Sequence, residues 1–334
     1  MKALVTGGGG FLGGALVRLL LSKGAQVRNL SRGEYPELKA LGVECLQGSV
    51  SDPAAAAEAC RGCDTVFHVA AKVGMWGSYD DFYRDNVAGT ETLLAAARAA
   101  GVRKFVFTST PSVVYPGGGG DVDGWDESAP YPEKYDSYYA ETKARAERSV
   151  LEADSPQFST VSLRPHLVWG PGRDHMVATI VARGRAGRLR RIGDFNKLID
   201  VTYVDDAAMA HWLAAERLAP GAPCAGKAYF LSQGDPRPNW DIVNMILSAA
   251  GAPPVTKAVP YGAARAAAAV LEGVWRLVRL KGEPPLTRFV LQQLTTAHWF
   301  DISAARRDLA YAPSVTIEQG MSRLAAWIRG DVDS

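Results

Sequence analysis

Ala3-Leu4-Val5-Thr6-Gly7-Gly8-Gly9-Gly10-Phe11-Leu12-Gly13 is the stretch that decides the fold of this chain. Ala3-Leu4-Val5 is an apolar run that reads as a strand, and Leu16, Val17, Leu19 and Leu20 continue after the glycines with helical spacing. Strand, glycine turn and helix, in that order, make a dinucleotide cradle. Gly7 permits the tight turn, Gly10 lets a pyrophosphate approach the backbone, and Gly13 lets the helix pack close to the strand. The helix N-terminus adds free N–H groups and the positive end of its dipole. The spacing is Gly-x2-Gly-x2-Gly rather than Gly-x-Gly-x2-Gly, which points to one branch of nucleotide-binding oxidoreductases.

Outward from this stretch, strand and helix alternate. Val-, Leu- and Phe-rich runs predict strands at 2–6, 25–30, 43–46, 64–69, 103–108 and 159–164, and helical patterns lie at 12–23, 54–60, 82–100 and 137–153. Strands apolar along their whole length are those of a parallel sheet covered on both faces. The alternation predicts an α/β fold, a doubly wound parallel sheet (Rossmann fold) over residues 1–165 that carries both the cofactor and the catalytic residues. Over 166–334 Pro and Gly cluster, which predicts a smaller C-terminal substrate lobe. Part of it, about 198–231, is expected to return to the sheet, because Lys227-Ala228-Tyr229-Phe230-Leu231 reads as a strand. The run Gly117–Gly120, just beyond strand five, is read either as a mobile loop near the site or as a surface insertion.

With 334 residues, 47% of them apolar, the chain has ample material for a core. A net charge of +2 with scattered basic residues gives no case for nucleic acid. No signal peptide fits the first residues and no uncharged apolar run reaches the ~18 residues of a membrane span, so a cytoplasmic enzyme is expected. Cys60-x2-Cys63 has no second pair at ligand spacing, so Cys45, Cys60, Cys63 and Cys224 are read as free thiols and no metal is expected.

The tip of strand two reads Val27-Arg28-Asn29-Leu30-Ser31-Arg32-Gly33. An acid there would bond the adenosine ribose and favour NAD. Ser31 and Arg32 stand there instead, a donor and a cation suited to a 2′-phosphate, which predicts NADP(H).

Tyr139 and Lys143 are spaced i, i+4 at the start of a helical pattern and share one helix face. An ammonium near a phenol makes it a better acid, and the same lysine can bond the nicotinamide ribose. Tyr35 and Lys39 have the same spacing, but Tyr35 precedes Pro36 and lies beside the adenosine end. Tyr139 follows strand five, where the nicotinamide belongs. Strand five ends Thr108-Ser109-Thr110-Pro111-Ser112, and a hydroxyl at that tip can hold a substrate carbonyl for Tyr139.

Thr6-Gly7-x2-Gly10-Phe11-Leu12-Gly13, Asn86-Val87-x-Gly89-Thr90, Thr108-Ser109-Thr110, Tyr139-x3-Lys143 and Arg164-Pro165-x4-Gly170-Pro171-Gly172 occur in register. Together they resemble the extended short-chain dehydrogenase/reductases over essentially the whole chain. The resemblance implies a catalytic set of Thr110, Tyr139 and Lys143, with Ser109 and Ser112 as fallbacks for the hydroxyl. It implies that Ala70, Ala71 and Lys72 line the cofactor, that Pro165 and Leu167 pack near the nicotinamide, and that Asn86 sits on the central helix. Many relatives carry Asp-hydrophobic after strand three for the adenine. Here Ser49-Val50 stands there, so Val50 can pack on the ring while the acidic contact is missing.

The chain is most similar to the 3β-hydroxysteroid dehydrogenase-like branch, and within it to the 2-alkyl-3-oxoalkanoate reductases of bacterial long-chain olefin biosynthesis. Gly74-Met75-Trp76-Gly77-Ser78-Tyr79-Asp80, Thr108 to Val113, Gly282 to Phe289 and Ala297-His298-Trp299 carry this. The resemblance implies reduction by NADPH of the 3-keto group of a β-keto acid with two long alkyl chains. Such a hydrophobic substrate needs apolar walls, for which Trp76, Tyr79, Trp125, Trp169 and Trp299 are candidates. Its carboxylate needs a donor, for which Lys72, His166, Arg173 and Arg288 are candidates. The helical pattern at 263–280 has a broad apolar face with Val270, Leu271, Val274, Trp275, Leu277 and Val278, flanked by Arg276, Arg279 and Lys281. It could pack in the lobe, cover the substrate entry, touch a partner or contact a membrane. A homodimer through the helices at 82–100 and 137–153 is what the resemblance implies, and a complex with other olefin-pathway enzymes would fit it. Three alternatives stand beside this reading. They are a 3β-hydroxysteroid or sterol dehydrogenase, a nucleotide-sugar epimerase retaining NAD, and a non-catalytic NADP-sensing protein.

Overall fold

The computed structural model describes residues 1–74, 76–172, 174–278 and 282–331, without the side chain of Arg276. Met75, Arg173, Arg279 and Lys281 therefore lie outside the described residues, and with them one candidate for the substrate carboxylate.

The central sheet has seven strands: β1 (Lys2–Thr6), β2 (Gln26–Ser31), β3 (Glu44–Gln47), β4 (Thr65–His68), β5 (Lys104–Thr108), β6 (Ser159–Pro165) and β7 (Lys227–Leu231). Every pairing is parallel, and the spatial order is β7-β6-β5-β4-β1-β2-β3. The strands fall within a residue or so of the ranges read from the apolar runs. Their side chains alternate between two cores. Val5, Phe67 and Val106 join one cluster with Leu16 and Leu20, whereas Leu4, Val66, Phe105 and Phe107 join another with Leu93, Ala97 and Val150. Both faces are covered, which is why the strands are apolar throughout.

Helix α1 (Phe11–Ser22) packs against α4 (Val204–Arg217) on the first face. On the other face lie α2 (Gly89–Ala99) and α3 (Tyr138–Glu152). A π-helical turn, Tyr83–Ala88, precedes α2, a feature that recurs at functional sites. Strand order reverses at β1, which pairs with both β2 and β4. The crevice beyond such a switch point is where α/β sheets bind ligands, and the glycine turn leaves β1 there.

The lobe is built from short strands and helices. Its four-stranded sheet runs Arg237–Pro238, Leu198–Ile199, His298–Phe300 and Val122–Trp125. The last of these comes from the first half of the chain and pairs in parallel with His298–Phe300. Helices α5 (Tyr261–Val278) and α6 (Arg288–Thr295) pack on each other at the edge of the lobe. Among the described residues no helix is long and apolar enough to cross a membrane.

Candidate active site

The glycine turn is as tight as its spacing implies. Gly7 has φ +73°, and a Cβ there would come within 3.0 Å of the Ala70 backbone. A Cβ on Gly13 would stand 2.2 Å from the Gly7 carbonyl oxygen, so only glycine lets α1 begin this close to β1. Gly10 is the N-cap of α1, with no side-chain cap and no acid in the first turn. The first N–H groups of α1, at Phe11 and Leu12, are thus left for an anion. This cradle fits the pyrophosphate of a dinucleotide.

Buried polar residues lock the cradle to the sheet. Asn29 Oδ1 accepts from the Gly8 N–H (2.8 Å), and its Nδ2 donates to Ser31 Oγ (2.9 Å). Thr6 Oγ1 accepts from the Ala70 N–H (3.1 Å) and bonds His68 Nδ1 (2.8 Å), while His68 Nε2 bonds Thr90 Oγ1 (2.9 Å). The single Thr90 hydroxyl proton goes to the Asn86 carbonyl (2.6 Å). Thr90 therefore accepts from His68 Nε2–H, and His68 Nδ1 accepts from Thr6. Burial, with the Lys143 ammonium nearby, pushes His68 down to about 3. The imidazole is neutral, in the tautomer these bonds demand.

At the adenosine end, Ser31 donates to the Gly33 carbonyl (3.2 Å), and Arg32 pairs with Asp85 of the π-helical turn (3.2 Å). The Arg32 side chain is 72% exposed, so it can swing to another anion. The Tyr35 ring lies against Gly9, where a Cβ would be 2.1 Å from its Cε1. Ser49 bonds Ser51 (2.8 Å), and Val50 packs over Gly89, where a Cβ would approach Val50 Cγ2 to 2.8 Å. That contact explains the glycine of the Asn86-Val87-x-Gly89-Thr90 motif.

Ser137 caps α3 by accepting from the Ala140 N–H (3.1 Å), which sets Tyr139 in its first turn beyond the tip of β5. Burial raises the Tyr139 phenol to about 12, opposed by a hydrogen bond with Thr110. Thr110 Oγ1 also bonds Ser112 Oγ (3.1 Å) and caps the 3-10 turn Pro111–Val114. Of the three hydroxyls weighed at this tip, Thr110 is the one that acts on the phenol, lowering its pKa against burial. Ser109 is buried beneath it on the side of Glu147.

Lys143 sits one turn further into α3 and is 2% exposed. Its ammonium donates to the Thr108 carbonyl (2.6 Å) and lies 3.9 Å from the centre of the Phe107 ring. Burial pushes it down to about 7, countered by Glu147. The expectation that the ammonium acts directly on the phenol is corrected here. Lys143 is held by the strand carbonyl, and desolvation moves Tyr139 up rather than down. Glu147, one turn on, is fully buried. It takes Arg164 Nη2 (2.6 Å), Tyr131 OH (2.6 Å) and Ser162 Oγ (2.7 Å). Burial alone would raise this carboxyl, and the Arg164 guanidinium holds it low.

Asn86 clamps the loop after β4. Its Oδ1 accepts from the Lys72 N–H (2.7 Å), and its Nδ2 donates to the Lys72 carbonyl (3.1 Å) and to Thr142 Oγ1 (3.1 Å). Ala70, Ala71 and Lys72 are thereby fixed between the glycine turn and α3. Beyond β6, Pro165 ends the strand and Leu167 adopts φ +40°, a strained conformation for a leucine. Such strain persists where the surroundings enforce a required geometry.

Two of the substrate-carboxylate candidates are already engaged. His166 is buried and bonds Asp200 Oδ1 (2.5 Å), Tyr115 OH (3.0 Å) and His298 Nδ1 (3.2 Å). Arg288 braces α6 on α5 through Glu272 (2.9 Å). Lys72 has no ion pair among the described residues, and its ammonium lies over the Phe82 ring (5.3 Å). Trp169 is core rather than a cleft wall, being 1% exposed with its indole N–H on Gln233 (3.0 Å). Trp299 bonds Asp123 beside Gly124, and Tyr79 stacks edgewise on Tyr138. The Gly117–Gly120 run is tied down where the Gly118 N–H meets both Asp136 oxygens (3.1 and 2.9 Å). Cys60 and Cys63 are buried, and burial lifts both thiols, Cys60 to about 12, which makes them poor nucleophiles.

Asn29, His68, Asp85 and Glu147 were not singled out by sequence reasoning. The one signal available for Asn29 and His68 was a polar residue inside an otherwise apolar strand.

The sequence profile of the 3-beta hydroxysteroid dehydrogenase/isomerase family matches residues 4–259. The chain is 50% identical over 327 residues to a 2-alkyl-3-oxoalkanoate reductase of Stenotrophomonas maltophilia, covering 98% of this chain and 99% of that protein. It is 46% identical to a 2-alkyl-3-oxoalkanoate reductase of Shewanella oneidensis, over 97% of this chain and 85% of that protein. Among solved structures, UDP-glucose 4-epimerase from Thermus thermophilus in complex with NAD superposes with a TM-score of 0.75 at 26% identity, covering 99% of this chain and 100% of the epimerase.

Proposed function

Because the chain belongs to the 3-beta hydroxysteroid dehydrogenase/isomerase family, whose members are NAD(P)-dependent oxidoreductases acting on CH–OH and C=O groups, we propose that it reduces the 3-keto group of a 2-alkyl-3-oxoalkanoic acid to the 2-alkyl-3-hydroxyalkanoic acid with NADPH, in long-chain olefin biosynthesis. The observation that carries the chemistry is the Tyr139 phenol, kept protonated by burial in the first turn of α3, with the Thr110 hydroxyl at the tip of β5 opposing that rise. A phenol with its proton on is the form that ketone reduction requires. The identity of half the residues to a named reductase over nearly the full length carries the substrate.

When bound, the cofactor supplies a hydride to the carbonyl carbon. Gly7, Gly10, Phe11, Leu12 and Gly13 cradle its pyrophosphate. Thr110 holds the substrate carbonyl oxygen beside Tyr139, and Tyr139 gives its proton to that oxygen as negative charge develops. Lys143 orients the nicotinamide ribose. Ala70, Ala71 and Lys72 line one side of the cofactor, Pro165 and Leu167 the nicotinamide side, and Ser49 and Val50 the adenine. Lys72, anchored by Asn86, receives the substrate carboxylate.

Preference for NADPH rests on Ser31 and Arg32. The exposed Arg32 guanidinium exchanges Asp85 for the 2′-phosphate, a charge-assisted contact with a group of higher charge. The test is NADPH and NADH oxidation with 2-alkyl-3-oxoalkanoates against steroid ketones. Steroid turnover without β-keto acid reduction refutes the substrate, and higher catalytic efficiency with NADH refutes the cofactor.

A further inference from the structure

The reduction scheme leaves one buried polar knot unused: Tyr115, His166, Asp200 and His298. The knot gathers residues from the central sheet and from the lobe. Tyr115 follows the 3-10 turn Pro111–Val114, which Thr110 caps. His166 stands between Pro165, the last residue of β6, and Leu167. Asp200 follows the lobe strand Leu198–Ile199, and His298 opens the lobe strand His298–Phe300.

Asp200 anchors the knot. Its Oδ1 accepts from His166 Nδ1–H (2.5 Å), and its Oδ2 accepts from the Phe300 N–H (3.0 Å). A buried carboxylate is tolerated only when its oxygens are paired, and here each has a donor. The other His166 nitrogen, Nε2, meets the Tyr115 hydroxyl (3.0 Å) and His298 Nδ1 (3.2 Å). The Tyr115 ring also stacks on Phe300, with the planes 1° apart. Main-chain bonds complete the joint. The His166 N–H donates to the Leu231 carbonyl at the end of β7 (3.0 Å), and the Thr202 N–H donates to the Leu167 carbonyl (3.4 Å). Leu167 is thus held at φ +40° between sheet and lobe.

We propose that His166, set by Asp200, is a positioning residue for hydride transfer. Its main chain is part of one arm of the site, Pro165 and Leu167 on the nicotinamide side. Its imidazole grips the other arm, bonding the Tyr115 hydroxyl at the far end of the turn that Thr110 begins. One side chain thereby fixes the spacing between the arm beside the nicotinamide and the arm that holds the substrate carbonyl. Asp200 decides which way the imidazole points, and its second oxygen ties that orientation to the lobe through Phe300. This role rests on the reading that Thr110 holds the carbonyl and Leu167 borders the nicotinamide. Hydride transfer is steep in geometry, so a displacement of about 1 Å between the arms costs up to about a hundredfold in rate.

The experiment compares Asp200→Asn and Tyr115→Phe with the wild type. An amide at position 200 can accept from His166 or from Phe300 but not from both, because its NH2 group then faces a donor. Phenylalanine at position 115 removes one hydroxyl and keeps the ring on Phe300. Both variants should bind NADPH with a Kd within about threefold of the wild type, because the glycine cradle is untouched. Hydride transfer to the keto acid in a single turnover should slow about 10–100-fold. A purely structural role lowers the urea midpoint and leaves the rate of the folded protein unchanged, and that result overturns the proposal. Should Asp200→Asn fail to fold, Tyr115→Phe decides. Two readouts need no substrate. Proton NMR of the wild type should show the His166 Nδ1–H far downfield of ordinary imidazole protons, and the fluorescence of bound NADPH should differ in the variants. If the wild type reduces no 2-alkyl-3-oxoalkanoate, the reading of the substrate fails by itself. The positioning role is overturned separately, by an absent downfield proton or by unchanged fluorescence of bound NADPH.

Discussion

Replacing Lys143 by methionine should stabilise the folded protein while abolishing its activity. The side chain is buried, and its surroundings lower it from 10.5 to about 7. At about 1.4 kcal/mol per tenfold change, that fall corresponds to about 5 kcal/mol of extra cost for the charged form in the folded state. Methionine has a similar length and carries no charge. It leaves the Thr108 carbonyl without its donor, which costs about 1–2 kcal/mol. A net gain on the order of 3 kcal/mol at neutral pH remains. The pH dependence is specific. Between about pH 7 and 10.5 the unfolded chain holds the Lys143 proton and the folded chain has released it, so the wild type gains stability as pH rises. The variant has no such term. Its advantage should be largest at and below pH 7 and shrink steadily toward pH 10.5. Urea unfolding of both proteins across this range measures it. A variant less stable than the wild type at pH 7, or a gap that does not close with pH, would falsify the assignment of Lys143 as a buried, destabilising charge.

Other consequences are equally direct. Tyr139→Phe should cut kcat by about 10²–10⁴ with NADPH affinity intact; retained turnover removes the phenol from the reaction. Arg32→Ala should raise the Kd for NADPH about tenfold or more and leave NADH unchanged. Equal losses with both cofactors would mean that Arg32 does not read the 2′-phosphate. Gly13→Ala places a Cβ 2.2 Å from the Gly7 oxygen, so dinucleotide binding should be lost in titrations even where circular dichroism shows a folded chain. His68 and His298 are pushed by burial down to about 3 and His211 to about 4. Each binds a proton more readily unfolded than folded between its ordinary 6.5 and these values. Stability should therefore be level above about pH 6.5 in this respect and fall as pH drops toward 4. A urea midpoint that holds constant down to pH 4 would refute this.

The sequence by itself determined the doubly wound sheet, the cradle and the pairing of Tyr139 with Lys143 in one helix. These are local patterns. A strand covered on both faces must be apolar at every position, a close turn must be glycine, and residues four apart on a helix share a face. Only the tertiary structure decided what those residues experience. Lys143 loses most of its basicity because the folded chain buries it away from water, and nothing in Tyr139-x3-Lys143 foretells that. Arg32 meets Asp85 and Glu147 meets Arg164 across chain separations that no periodicity spans. His166 reads as a candidate ligand until Asp200, Tyr115 and His298 close around it. Trp169 reads as a wall until it is found in the core. Secondary structure follows from short-range repetition along the chain. Charge state, pairing and access follow from burial by residues distant in sequence, and those are set only when the chain is folded.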